Sequence, residues 1–398
     1  MYKLNRERLM IGLRAAYADA CRSKRNKLYV KHFESRRDEN LSVLCDELLQ
    51  HCYLPSASLC FIINDPKKRE VFAADFRDRI VHHLYYNMVH EMLERTFIAD
   101  SYSCIKGRGT HYGIRRLEHH IRVASENYTK SCYVLKLDIR GYFMHIERHK
   151  LLAIVLGELR KLYHRSYMEG EERLKWRDVV DIDFVEYLTE VFVLNNPLLN
   201  CKRKGDISDW KGLPFDKSLF NSPEGCGLPI GNLTSQLFSN VFLNRLDQYM
   251  KRTLKCKHYG RYVDDFFVVS TERERLVEMV PLIRIYLLEE LGLQLHEGKI
   301  VISDVRQGVS FLGYYVKPWR RYVVNHSLRR LKRKLHEVDC KMVSAKRVEA
   351  QVNSYIGVLS HGRSYRILRK LLLERNDFWR VGDFVYREGK WRFRVESM

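Results

Sequence analysis

The chain has no apolar run of 18 residues, no cysteine pair at CxxC spacing, no repeat or low-complexity tract, and only eight prolines in 398 residues. Without the apolar run, no segment is expected to cross a bilayer. No amphipathic helix with an aromatic-rich apolar face argues for a membrane surface either. Ten cysteines (Cys21, Cys45, Cys52, Cys60, Cys104, Cys132, Cys201, Cys226, Cys256, Cys340) without close pairs argue against a zinc ribbon and for reduced, mostly buried thiols. The first residues, MYKLNRERLMIGLRAAYADACRSKRNKL, scatter charge where a signal peptide would be apolar, so a cytoplasmic location is expected. Acidic residues are also scarce: Lys plus Arg number 70 against 49 Asp plus Glu, a net charge of +21. That surplus concentrates polyanions, which makes nucleic acid the leading partner over a merely soluble basic protein.

A composition of 45% hydrophobic and 30% charged residues describes an ordinary folded protein. Residues 1–55 read as helices, with Leu41, Leu44, Leu48 and Leu49 at helical spacing. Residues 58–73 alternate as a hairpin turning at Asp65-Pro66-Lys67-Lys68, and a helix is predicted over 76–95. Lys106-Gly107-Arg108-Gly109-Thr110 is a basic glycine loop entering another helix. A strand over 132–139 precedes a long helical region to about 195, then turn-rich sequence over 196–226. A helix at 232–252 with Asn232 as N-cap, a hairpin at 257–270, a helix at 272–291 and strands near 300–304 and 309–316 follow. From 327 onward the chain reads as helical and basic. Leu328, Leu331 and Leu335 are core candidates among Arg329, Arg330, Lys332, Arg333 and Lys334. The expected class is α+β, with a small sheet in the middle.

Two segments carry the chemistry. In Val134–Phe143, strand alternation puts Leu135, Leu137 and Ile139 on one face, and Lys136 and Asp138 on the other. In Tyr259–Val269, apolar strands flank the adjacent acids Asp264 and Asp265 at a tight turn. Asp-Asp alone is also a good exposed turn dipeptide. Paired acids with apolar flanks nevertheless destabilise the chain unless a cation compensates. With Asp138 as third acid they would form a site for two Mg²⁺ ions, and Mn²⁺ fits the same oxygen ligands.

Tyr262-Val263-Asp264-Asp265 resembles the YxDD box of reverse transcriptases, and the Asp138 segment resembles their first catalytic motif. The resemblance implies a right-hand polymerase with catalytic Asp138, Asp264 and Asp265, and a further metal ligand in the Ile139 backbone carbonyl. Phe143 falls where the family has its sugar-gating aromatic, although a core phenylalanine is the plain alternative. Gly141 and Tyr142 fall where backbone amides cradle the triphosphate. Tyr262, Val263, Ile230, Gly231 and Gln236 belong to the same implied nucleotide site. Lys68 and Arg69 are triphosphate candidates beside a fingers-like Arg69-Glu70-Val71, and Lys299 matches a late lysine proposed to protonate pyrophosphate. Candidate nucleic-acid contacts are Arg79, Lys106, Arg108, Gly313 in the primer-grip-like Phe311-Leu312-Gly313-Tyr314, and Arg329, Arg330 and Arg333. Solvated charge, or for Arg79 a bond to Asp78 or a helix end, would explain the same basic residues.

Gly227-Leu228-Pro229-Ile230-Gly231-Asn232-Leu233-Thr234-Ser235-Gln236 departs from the common reverse transcriptase pattern at Ile230 (for Gln) and Gln236 (for Pro). Those departures, with Trp210–Pro214, Lys217–Phe220 and Ser354–His361, resemble the reverse transcriptases of diversity-generating retroelements. The resemblance implies copying of template RNA into cDNA with errors at template adenines, for mutagenic retrohoming. It also implies dNTP, an RNA–DNA hybrid and a small basic ring-forming accessory protein as partners. A retron or phage-defence enzyme, or a non-catalytic RNA-binding protein, are the alternatives. The expected layout is N-terminal helices and fingers at 1–130, palm at 131–149, an insertion at 150–226, palm at 227–318, and thumb with tail at 319–398. No Cys/His cluster suggests a fused endonuclease.

Overall fold

The computed structural model describes residues 3–64, 67–169, 172–330, 333, 345–370, 382–387 and 390–395. Helices α1 (Arg6–Cys21), α2 (Leu28–Glu34) and α3 (Arg37–Leu49) form where leucines recur at helical spacing; Leu41, Leu44 and Leu48 are fully buried. Strands β1 (Ser58–Ile63) and β2 (Arg69–Ala73) make the expected hairpin, whose Asp65-Pro66 turn lies outside the described residues. A short strand β6 (Cys201–Arg203) adds to β1 in parallel. Helix α4 (Phe76–Glu94) starts at Asp75, whose carboxylate caps the Arg77 amide, and packs against α1 and the later helix α9 (Leu233–Gln248).

A four-stranded sheet in the order β7-β8-β3-β9 positions the three acids. It is built from β3 (Tyr133–Asp138), β7 (Tyr259–Tyr262), β8 (Asp265–Ser270) and β9 (Val301–Asp304). Leu135, Leu137 and Ile139 bury themselves in the large core with the N-terminal helices and α9. Val134, two residues before Lys136 on the opposite face, packs into a second core with helix α5 (Thr110–Ala124) and the C-terminal elements. The sheet is thus covered on both faces, and the Lys136/Asp138 face opens only toward the strand end.

Three expectations are corrected. The long helical region to 195 is two helices, α7 (Arg148–Tyr163) and α8 (Ile182–Leu194), separated by a β4–β5 hairpin over Ser166–Glu169 and Glu172–Lys175. Buried Trp176 closes that hairpin onto the helices. The single strand near 309–316 is two, β10 (Val309–Phe311) and β11 (Tyr314–Lys317), reversed at Leu312-Gly313 and continued by β12 (Arg320–Val323). Finally, the chain beyond 327 is not all helical. Helix α11 (Ala345–Ser360) packs against a terminal hairpin, β13 (Gly382–Arg387) with β14 (Lys390–Val395), where Phe393 is fully buried. Leu328 is half-buried against the second core, whereas Leu331 and Leu335 lie outside the described residues. The α+β class holds.

Candidate active site

The register of the central sheet brings the distant acids together. Asp138 ends β3 directly opposite Asp265, the first residue of β8. Paired residues in an antiparallel ladder have Cα atoms about 5 Å apart. Asp264 precedes Asp265 in the two-residue turn between β7 and β8, and its carbonyl accepts from the Ile139 amide at 3.2 Å. The tip of one hairpin is therefore tied to the end of β3 on both sides of the carboxylates.

Burial and mutual repulsion shape the electrostatics. Burial, then Asp138, pushes the Asp264 carboxyl above its ordinary range. Asp265 is pushed up to about 6 by burial, with Asp264 and Asp138 adding to the rise and Lys136 opposing it. Oδ1 of Asp265 is buried without a hydrogen-bond partner among the described residues, and its Oδ2 lies 3.4 Å from Lys136 Nζ. Lys299 Nζ donates to Asp138 Oδ1 at 2.8 Å. Among the described residues, no three His, Cys, Asp or Glu side chains are gathered closely enough to hold a metal ion. Each of two carboxylates instead faces an ammonium, Asp138 that of Lys299 and Asp265 that of Lys136. The donor set is nonetheless all oxygen, it is short of positive charge, and one buried oxygen lacks a partner. These features fit hard divalent cations.

The turn itself is strained and braced. Val263 has φ 55°, a left-handed conformation that a β-branched residue adopts at about 1–3 kcal/mol. Its carbonyl accepts from Arg261 Nη1 at 3.1 Å. Arg261 is fully buried and makes a two-point ion pair with Asp247 of α9 at 2.8 and 2.6 Å. It also reaches Asn240 Oδ1 and Ser101 Oγ. Tyr259 donates to the same Asp247 at 2.6 Å. Neither Arg261 nor Asp247 was singled out from sequence, although an arginine inside an apolar strand beside the two acids was a usable signal. Lys136 was seen to share a face with Asp138, but its partner Asp265 follows only from the sheet register.

Next to the acids, Gly141 has φ 52°, and a Cβ there would lie 2.8 Å from the Asp216 carbonyl. Tyr142 is buried with its hydroxyl donating to the Ser239 carbonyl at 2.6 Å, so its side chain builds the floor beneath the loop. Phe143 and Ile230 are half-buried and pack against one shared cluster of Cys60, Phe72, Met144 and Leu219. The Ile230 carbonyl accepts from Phe72 N at 2.8 Å. At Gly231, φ is 132° and a Cβ would sit 2.7 Å from the Phe72 carbonyl, so only glycine lets the loop pass β2 this closely. Gln236 is exposed on the first turn of α9. Asn232 holds the N-cap position, but its side chain accepts from Ala74 N at 3.2 Å and caps nothing.

The basic candidates divide. Arg69 is exposed beside β1, whereas Lys68 donates to the Lys211 carbonyl at 2.6 Å. Arg79 donates to the Ala74 carbonyl at 2.8 Å and lies over Tyr29; the suggested bond to Asp78 is not made, because Tyr53 and Ser56 N take that carboxylate. Arg108 staples its own loop through the Ile98 and Ser101 carbonyls, while Lys106 is exposed. Tyr262 is half-buried in the second core, and Gly313 turns with φ 86° between β10 and β11. Arg329 and Arg333 are exposed and Arg330 is half-buried.

The fold is an α+β sheet with three carboxylates gathered at one end, two of them held above their ordinary range by burial. Residues 64–316, well over half the chain, match the family described as reverse transcriptase (RNA-dependent DNA polymerase), and the chain belongs to that family. Reverse transcriptases generally use divalent metal ions. The chain is 25% identical over 315 residues to Protein YkfC of Escherichia coli, spanning 71% of this chain and 72% of that one. It is also 25% identical over 230 residues to a putative COX1/OXI3 intron 2 protein of Saccharomyces cerevisiae, covering 50% of this chain but only 26% of that protein. Among solved structures, a Candida albicans telomerase in complex with a telomeric RNA fragment aligns with TM-score 0.48 and 11% identity, over 88% of this chain and 59% of that one. No helix among the described residues is long and apolar enough to cross a membrane.

Proposed function

We propose that the chain copies template RNA into cDNA at Asp138, Asp264 and Asp265, within a diversity-generating retroelement. The observation that carries the polymerase site is the pairing of Asp138 with Asp265 at the end of the central sheet. Two bound Mg²⁺ ions, held by the three carboxylates and the Ile139 carbonyl, would activate the primer 3′-hydroxyl and neutralise the triphosphate. Lys136 and Lys299 partly offset the three carboxylates beforehand, and Lys299 protonates the leaving pyrophosphate in this reading. Phe143 bars the ribose 2′-hydroxyl, Arg69 meets the triphosphate, and Gly141 leaves room for the backbone amides to do the same. Layout in this reading is fingers, palm and thumb in the order expected above. A basic accessory protein and the RNA–DNA hybrid are its partners.

The retroelement assignment rests on Ile230 and Gln236 standing where most reverse transcriptases have Gln and Pro. Ile230 contributes only van der Waals packing near the nascent pair, so correct geometry earns less there. Primer extension on an RNA template with Mg²⁺ tests the activity, with Asp264→Asn expected to abolish it without lowering the melting temperature. Full activity of that variant would end the proposal. Sequencing of the cDNA then tests the adenine-directed errors.

A further inference from the structure

The β11–β12 hairpin offers a second surface, away from the carboxylates. Its register pairs Tyr314 with Val323, Tyr315 with Tyr322, Val316 with Arg321, and Lys317 with Arg320. Side chains alternate, so one face carries Tyr314, Val316, Arg321 and Val323, and it packs into the second core. Arg321 on that face is paired with Glu118 of α5 at 3.1 Å. The opposite face carries two rungs: Tyr315 beside Tyr322, and Lys317 beside Arg320. These side chains, with Trp319 and Arg363, line a cavity of about 840 Å³ that is open to solvent.

Three features of this face favour a ligand. Like charges directly opposite on paired strands destabilise a hairpin. Neither Lys317, Arg320 nor Arg363 forms an ion pair among the described residues. Trp319 sits at the turn with φ 59° and is 64% exposed, its ring against Tyr128 at 4.7 Å between centroids, and Lys317 Nζ lies 5.8 Å from the Tyr315 ring centroid. Lysine on an edge strand does protect against aggregation, but that role does not call for an aromatic pair and an exposed tryptophan beside the cations. Flat rings for bases next to cations for phosphates are the chemistry of single-strand binding.

We propose that the solvent face of β11–β12 binds an unpaired nucleic-acid strand, stacking bases on Tyr322, Tyr315 and Trp319 and holding phosphates at Lys317, Arg320 and Arg363. Tyr315 is fixed for this by its hydroxyl, which donates to the Gln307 carbonyl at 2.6 Å. The surface would hold strand outside the polymerising cleft, and in that respect it builds on the polymerase reading.

The test is fluorescence anisotropy with the full chain, without metal or dNTP, on a labelled single-stranded RNA, the same sequence as DNA, and an RNA–DNA hybrid. Tyr322→Ala is expected to weaken single-strand binding by about fivefold or more, and hybrid binding by less than about twofold. Tyr322→Phe, which keeps the ring, should bind as wild type. The double variant Lys317→Gln/Arg320→Gln should flatten the slope of log affinity against log salt by about 1.4, two phosphates at about 0.7 each. A preference for RNA would identify the template as the bound strand, and a preference for DNA the product; both support the site. Equal weakening on hybrid and single strand, or no change in any variant, overturns it. Should Tyr322→Ala misfold by circular dichroism, the double variant, altered only at solvent-facing cations, decides alone. Because no polymerisation is involved, failure here leaves the polymerase reading standing, and an inactive polymerase would leave this site testable.

Discussion

The ammonium of Lys299 donates to Oδ1 of Asp138 at 2.8 Å, and the same segment clamps the Asp138 backbone, His296 N donating to the Asp138 carbonyl at 2.8 Å. The short turn Glu297–Lys299 thus holds β3 in place and supplies its terminal carboxylate with a counter-ion. A lysine so placed competes with any cation arriving at Asp138.

Replacing Lys299 with Gln should therefore tighten Mn²⁺ binding to the nucleic-acid-free protein while slowing single-turnover incorporation. Lys299 is 40% exposed, so solvent screening limits the effect to on the order of 1 kcal/mol, about fivefold. Titration calorimetry measures it. Weaker Mn²⁺ binding in the variant would show that the lysine helps assemble the site instead.

Asp265 gives a pH dependence. Its carboxyl is pushed up to about 6 by burial and its acidic neighbours, against an ordinary value near 4. A raised value means the associated stability is fully present below about 4 and is lost as pH rises through 6. Metal-free Asp265→Asn should melt above wild type at pH 7.5, with the gap closing as pH falls through 6 toward 4. Added Mg²⁺ should raise the wild-type melting temperature and leave the variant's unmoved. A gap independent of pH would contradict the assignment.

Arg261 and Asp247 are both fully buried, so removing one partner strands the other charge in the core. Asp247→Ala should cost about 3–5 kcal/mol by urea unfolding. Arg261→Lys keeps the charge but loses the fork that reaches both Asp247 and the Val263 carbonyl. It should lower the incorporation rate more than the affinity for template–primer, because the loosened part is the turn carrying Asp264.

Phe143→Ala should admit ribonucleotides, raising their incorporation relative to deoxynucleotides by about 5–150-fold, the worth of about 1–3 kcal/mol of steric discrimination. Single-nucleotide extension with matched dNTP and NTP reads the ratio directly. If Phe143 serves only the cluster it shares with Ile230, stability falls and the ratio stays put.

Ile230→Gln should restore a hydrogen bond worth on the order of 1 kcal/mol, cutting errors opposite template adenine about fivefold. Sequenced cDNA from both proteins decides it, and identical error spectra would discard the role given to Ile230.

Local pattern carried much of the architecture. Alternation at Leu135, Leu137 and Ile139 marked β3, the apolar flanks of Asp264-Asp265 marked β7 and β8, and helical spacing marked α4, α9 and α10 (Arg273–Leu291) within a few residues. The β4–β5 hairpin was missed because its strands are four residues long and mostly polar; β13–β14 was missed although Phe384, Tyr386, Trp391 and Phe393 mark it, and its β14 strand packs on α11. Charged residues were the hardest to place. Nothing local separates Arg108, bound to two carbonyls of its own loop, from Lys106, which faces solvent.

By itself the sequence determined which side chains were available to the site: three acids at strand ends, a net charge of +21, and a glycine where β2 passes closest. These follow from covalent order and side-chain periodicity, which every folded form of the chain must obey. Tertiary structure alone decided the pairings: Lys299 with Asp138, Lys136 with Asp265, and Arg261 buried against Asp247. Coulomb energy depends on distance and burial, and neither exists for residues far apart in sequence until the sheet has closed on its register.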